Sequence, residues 1–166
     1  MPKYQYGCKK VEHGTMNVST GAITWNDTEL DVYQDTIVVD QPEATRTDHF
    51  KQGDPDPKVS RFARTVRSVQ FSIMDLSADS KVLWLGGTKT TADTKDTWNA
   101  PSVAVPKTVK ALRFTLEDNS MITIPNADCA ARLAGNANDT DIMLMPVVAT
   151  VKSTGVSAVA AFQWTD

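Results

Sequence analysis

The sequence predicts a mainly β protein, an antiparallel β-sandwich or partial barrel with one short flanking α-helix at about residues 77–85. Three observations carry this. Val, Ile and Thr supply 43 of the 166 residues against only 8 Leu, and β-branched side chains fit a pleated surface better than a helix. Of the 20 acidic residues, 16 are Asp, which competes with helical hydrogen bonding and favours turns and caps. Segment 65–74 alternates cleanly, with Val69, Phe71 and Ile73 on one parity and Ser68, Gln70 and Ser72 on the other, the signature of a half-buried strand. With 41% hydrophobic and 22% charged residues, the chain can bury the core of one ordinary domain.

Residues 1–35 are punctuated by Gly7, Gly14, Gly21 and Asn26-Asp27, and read as an N-terminal arm or irregular lead-in. Residues 36–166 then form a single β-sandwich domain. Its first strand is 36–41, which Pro42 should end or force into a bulge. Segment 43–50 is polar, with little hydrophobicity, and suits a second, exposed strand. A stiff loop follows, Gln52-Gly53-Asp54-Pro55-Asp56-Pro57.

Ser77 is placed to cap a helix that Gly86-Gly87 stops; Ala78, Val82 and Leu85 form its packing stripe. Residues 88–100 read as a loose hairpin or long loop anchored by Trp98. A hairpin is expected from 110–116 through Glu117-Asp118-Asn119-Ser120 into Met121-Ile122-Thr123-Ile124. Residues 128–134 are ambiguous, Ala-rich enough for a helical turn yet short and closed by Gly135.

Segments 142–151 and 156–164 are apolar on both parities and read as strands covered on both faces. One short helix does not suffice for that cover. Met143, Met145, Val147, Val151, Phe162 and Trp164 are therefore candidate subunit-interface residues.

Chemistry is hard to find. His13 and His49 each follow an acid, yet no nucleophile elbow, zinc-binding helix or phosphate loop accompanies them. The carboxylate pairs Asp54/Asp56, Asp93/Asp96, Glu117/Asp118 and Asp139/Asp141 match no calcium-loop pattern. Cys8 and Cys129 form no metal-binding motif. No catalytic residue, metal site or cofactor is expected, and the reading is not an enzyme. The start lacks a signal-peptide core and no run spans a bilayer, so a cytoplasmic protein with no membrane partner is expected. A net charge of -3 disfavours a protein that grips nucleic acid by neutralising phosphates.

The order of the elements resembles the major tail tube proteins of tailed, long-tailed bacteriophages. The passages that carry the resemblance are the strand 36–41, the polar segment 43–50, the Gly53-Asp54-Pro55 loop, Phe71-Ser72-Ile73-Met74-Asp75, Leu83-Trp84-Leu85-Gly86-Gly87 and Ile124-Pro125-Asn126-Ala127. It implies six copies in a ring, rings stacked into a hollow tube, and an inner barrel through which the genome passes. Partners would be other copies of the chain, tape-measure and tail-tip proteins, and DNA transiting the lumen; the place would be the virion tail, after assembly in the host cytoplasm.

The resemblance assigns ring stacking to the loop Phe50, Gly53, Asp54, Pro55, Asp56 and Pro57, with the N-terminal residues 1–20 bridging rings as well. Ser68, Gln70 and Ser72 are candidate lumen-facing residues, since a DNA conduit should neither bind phosphate nor offer apolar patches. The alternative is another bacterial or phage β-sandwich assembly module, such as a secretion-tube, pilus-like, decoration or adhesion subunit.

Overall fold

The structure, a computed structural model, describes residues 5–103, 107–136, 138 and 140–166. Twelve strands and one helix are present among them, so the chain is mainly β and antiparallel. The strands are β1 (Cys8–Met16), β2 (Ile23–Trp25), β3 (Val38–Asp40), β4 (Arg46–Phe50), β5 (Pro57–Phe62) and β6 (Ser68–Ile73). After α1 (Ala78–Leu85) come β7 (Thr88–Ala92), β8 (Lys95–Asn99), β9 (Thr108–Leu116), β10 (Met121–Ala131), β11 (Met145–Val151) and β12 (Gln163–Thr165).

Eight strands make one sheet in the order β2-β1-β9-β10-β11-β6-β3, with β12 joined to β10. The sheet ends in β2 and β3 and is not a closed barrel. β10 is irregular where its register with β9 shifts between Ile124 and Ala127. Pro125 explains the shift, because it has no N–H to give to a ladder and is tolerated at bulges. Before the bulge β10 pairs with β12, and after it with β11. Two sandwich-like layers thus share one strand, and the core between them contains Val69, Phe71, Ile73, Leu112, Phe114 and Ile124, all essentially buried. The candidate helical turn at 128–134 is the end of β10 and the chain just beyond it.

The helix is where the sequence puts it, but its buried stripe differs. Ser77 Oγ accepts a hydrogen bond from Ser80 N at 3.2 Å and caps the helix. Ser80 and Trp84 are buried, while Ala78, Val82 and Leu85 are half-buried. Trp84 has the larger apolar area, so it takes the core-facing position, meeting His13 and Phe71 edge-on at 5.9 Å and 6.0 Å.

Residues 8–16 are not an irregular lead-in. They form β1, an internal strand between β2 and β9, with Val11 to Gly14 buried. Pairing with β9 runs from Cys8↔Leu116 to Gly14↔Ala111, and satisfies the backbone that glycine punctuation seemed to leave loose. Residues 1–4 of the expected arm, and Asp139, lie outside the described residues.

Residues 88–99 form a tight hairpin. Asp93 and Thr94 both take positive φ, 48° and 65°, as a two-residue type I′ turn requires. The expected strand at 156–164 is absent except for its end. Gly155 has φ 74°, and Thr154 Oγ1 donates to the carbonyls of Val156 and Val159 at 3.1 Å and 2.8 Å, so the chain turns on itself before β12.

Candidate functional site: an isolated hairpin, a sheet face and a cleft

The β4–β5 hairpin pairs with no other strand. Its register runs from Arg46↔Phe62 to His49↔Val59, then slips to Phe50↔Pro57. The slip leaves Lys58 as an extra residue, a bulge at the position where Pro57 cannot donate. Asp54 N donates to Lys51 O at 3.0 Å, closing a turn whose third residue, Gly53, has φ 87°; only glycine adopts that conformation without strain. Alternation places Phe50 and Phe62 on the same hairpin face as Arg46, Asp48 and Ser60. Arg46 Nε donates to Asp48 Oδ1 at 2.8 Å and its terminal nitrogen to Ser60 Oγ at 3.1 Å. The hydrogen bond from Ser60, with that from Arg46, holds the Asp48 carboxyl below its ordinary range. Phe50 and Phe62 are 59% and 65% exposed, and Val59 on the opposite face is also exposed. All six residues of the sequence-proposed stacking loop lie at or beside this turn.

Ser68, Gln70 and Ser72 occupy the parity of β6 that faces away from the core. Gln70 is exposed; Ser68 and Ser72 are half-covered. Ser72 is shielded because its N–H donates to Thr36 Oγ1 and its carbonyl accepts from Tyr33 N. Gln70 sits between Val38 of β3 and Val148 of β11, both exposed. The face is therefore an uncharged polar row on β6, with exposed Val38 and Asp40 of β3 on one side and Val148 and Thr150 of β11 on the other, less uniformly polar than β6 alone suggests.

The proposed interface residues divide. Met145 and Val147 are fully buried in the protomer and cannot meet a neighbour, which corrects their assignment. Their parity in β11 points into the core with Ala149, and the other carries Pro146, Val148 and Thr150. Met143 and Trp164 are exposed. Val151 and Phe162 are half-buried against the core, with the Arg67 guanidinium 5.2 Å from the Phe162 ring centroid. Val148, absent from the sequence proposal, is the exposed apolar residue of β11.

An open cleft of about 1010 Å³ lies at one end of the sandwich. Its floor includes Val11, Phe114 and Ile122, and Tyr6, Tyr33, Val39, Met74, Ile142 and Trp164 line it while remaining exposed. Five carboxylates, of Glu29, Asp31, Asp35, Asp75 and Glu117, line it against two lysines. Lys10 is engaged by Glu12 at 3.0 Å and Lys9 by Asn119. No sequence motif signalled the cleft, because its lining comes from seven separate stretches of chain.

Two buried polar groups support the sheet. Glu12 accepts from Arg113 Nε at 2.7 Å across the β1–β9 ladder, and the Arg113 guanidinium lies 4.5 Å from the Trp25 ring centroid. The bond from Arg113 holds the Glu12 carboxyl below its ordinary value. His13 is hydrogen-bonded to the Asn26 side chain at 3.0 Å, and burial pushes its pKa below the ordinary 6.5. These partners are those of sheet-stabilising residues.

Among the described residues no group of three or more His, Cys, Asp or Glu could hold a metal ion. No described helix is long and apolar enough to cross a membrane. Burial raises the Cys129 thiol to about 12 and also raises Cys8, which disfavours the reactive thiolate. No protein-family model matches the chain, and no curated protein matches it.

Proposed function

We propose that this chain is a structural subunit that associates with copies of itself into rings, and that the rings stack into a hollow, phage-tail-like tube that conducts a genome. The observation that carries the reading is the β4–β5 hairpin. A hairpin that pairs with no other strand is by itself at best marginally stable in water, and exposing Phe50, Val59 and Phe62 on it brings an isolated protomer nothing. Phe50 and Phe62, on one face of it, are large exposed apolar side chains suited to an interaction site. The short edge strands β2 and β3 leave pairing positions that a ring would satisfy. In this reading Gln70 and its cross-strand neighbours Val38 and Val148 face the lumen, and Met143 and Trp164 face adjacent copies. The partners are other copies, tape-measure and tail-tip proteins and passing DNA. The site is the virion tail, with assembly in the host cytoplasm, and the protein performs no catalysis.

Electron microscopy of the purified protein tests this. Rings or hollow tubes are expected at high concentration, and deleting residues 54–57 should leave rings that no longer stack. A protein that stays monomeric throughout, or tubes of unchanged length and yield after the deletion, would overturn the assignment.

A further inference from the structure

The β4–β5 hairpin leaves the sheet at one end of the β3–β6 pair, and the acidic cleft is bordered chiefly by the other end. β3 and β6 are antiparallel, with Asp40↔Ser68 and Val38↔Gln70 in register. The hairpin is the connection between them, so it leaves the sheet at the Asp40/Ser68 end. The cleft is bordered by the other end of this pairing, where Tyr33 N donates to Ser72 O, Val32 bridges Ile73 and Met74 N donates to Asp31 O. Ser68 and Ile73, the two ends of β6, are separated by roughly 17 Å at the rise of an extended strand, and the cleft lining reaches back from the Ile73 end along β3 as far as Val39. The hairpin nonetheless leaves the cleft of its own protomer open, with Phe50 and Phe62 exposed. A hairpin from another copy is free to fill it.

Chemistry matches the two surfaces. The cleft presents exposed apolar side chains around a floor that opens onto the core, and Phe50 and Phe62 are the large exposed apolar groups of the hairpin face. Charge complements as well. Glu29, Asp31, Asp35 and Glu117 of the cleft have no ion-pair partner among the described residues, whereas Arg46 and Lys58 of the hairpin are matched internally by Asp48 and Asp54. That leaves Lys51, Arg61 and the adjacent Arg64 as cations without an ion pair among the described residues.

We infer that the cleft is the receptor for the β4–β5 hairpin of a second copy of this chain, with Phe50 and Phe62 entering it and the flanking cations meeting its carboxylates. Such a contact is heterologous: each copy offers a hairpin to one neighbour and a cleft to another, so association continues head to tail instead of closing at a dimer. The inference rests on the self-association reading and supplies its stacking contact. Addition of salt should weaken it, since the pairing charges are exposed.

The test places a benzophenone-bearing amino acid at position 62 of the full chain and maps photo-crosslinks by mass spectrometry in a mixture of isotopically light and heavy protein. Light-to-heavy crosslinks to peptides containing Tyr33, Met74 or Trp164 are expected. Reversing the cleft charge with Glu29→Lys and Asp31→Lys, both exposed positions, should lower the crosslinked fraction at least roughly tenfold and leave the melting temperature unchanged.

Intermolecular crosslinks confined to other surfaces, crosslinks within one copy only, or none up to about 1 mM protein would overturn the inference. Electron microscopy of the same samples separates its failure from that of the tube reading. Tubes with crosslinks elsewhere reject the cleft alone, and cleft crosslinks in irregular or closed oligomers support the contact while rejecting the tube.

Discussion

Replacing Phe50 and Phe62 together by alanine separates folding from association. Complete burial of a Phe side chain is worth about 1.5–3 kcal/mol. At 59% and 65% exposure, folding of the protomer already uses only about two-fifths of that area, so each truncation should cost the fold about 0.5–1 kcal/mol. The remaining three-fifths, about 1–2 kcal/mol per side chain, becomes available only when a partner covers the hairpin. The double variant should therefore lose ~1–2 kcal/mol in urea unfolding followed by tryptophan fluorescence. Its association, followed by sedimentation velocity, should weaken by roughly 30- to 700-fold, which is ~2–4 kcal/mol at 1.4 kcal/mol per decade. Unaltered sedimentation would refute the reasoning. So would a stability loss near 5 kcal/mol, the size expected of a core truncation, because it would mean that the two rings hold the protomer together.

Four further outcomes test the supports of the fold. Because burial depresses the His13 pKa below 6.5, the unfolded chain binds the proton more tightly; stability is full above that pH and falls as pH drops toward the depressed native value. The melting temperature should thus decline between about pH 7.5 and pH 5.5, and the His13→Gln variant should show a flatter profile over that window. Trp84→Ala should cost about 3–5 kcal/mol by cavity formation, read by urea unfolding, whereas Trp84→Phe should cost far less because Trp84 Nε1 has no hydrogen-bond partner among the described residues. Gly87→Ala should destabilise by at least ~2 kcal/mol, since its Cβ would lie 2.2 Å from Asn99 O and its φ is 90°. In the native protein Cys129 should resist alkylation near pH 8 and become reactive only on unfolding, as mass spectrometry would show, because burial raises its pKa to about 12.

The parts of the fold legible in the sequence are those whose burial follows a period. Segment 68–73 alternates, and its structure alternates with it. The hairpin of β9 and β10 was visible for the same reason, and Asn119, at φ 67°, is a residue type that tolerates its turn. β1 was not legible, because the burial of Cys-Lys-Lys-Val-Glu-His-Gly-Thr-Met depends on partners far along the chain. Glu12 is satisfied by Arg113, 101 residues away, and His13 by Asn26 and Trp84. A buried polar residue is tolerated when it is hydrogen-bonded, and no local pattern announces a partner that distant. The turn of β7 and β8 was hidden differently, since Asp93-Thr94 lacks the glycine that usually marks a type I′ turn.

The candidate site shows the same divide, and it bears on the proposed self-association. Apolar character on both parities of 142–151 correctly indicated more hydrophobic surface than the protomer buries, yet could not say which parity the core would claim. Pairing of β11 with β6 decides it: Val147 lies opposite Phe71 and Ala149 opposite Val69, and those partners face inward. Val148 is then forced outward beside Gln70. Val148 and, across β6, Val38 therefore flank Gln70, and there the face differs from a uniformly solvated wall. If Gln70 faces a lumen, Val148→Ser should preserve both folding and association. If the row is instead a contact between copies, the same substitution should weaken association, measured by sedimentation against the unsubstituted chain, and the lumen would have to be lined by another face.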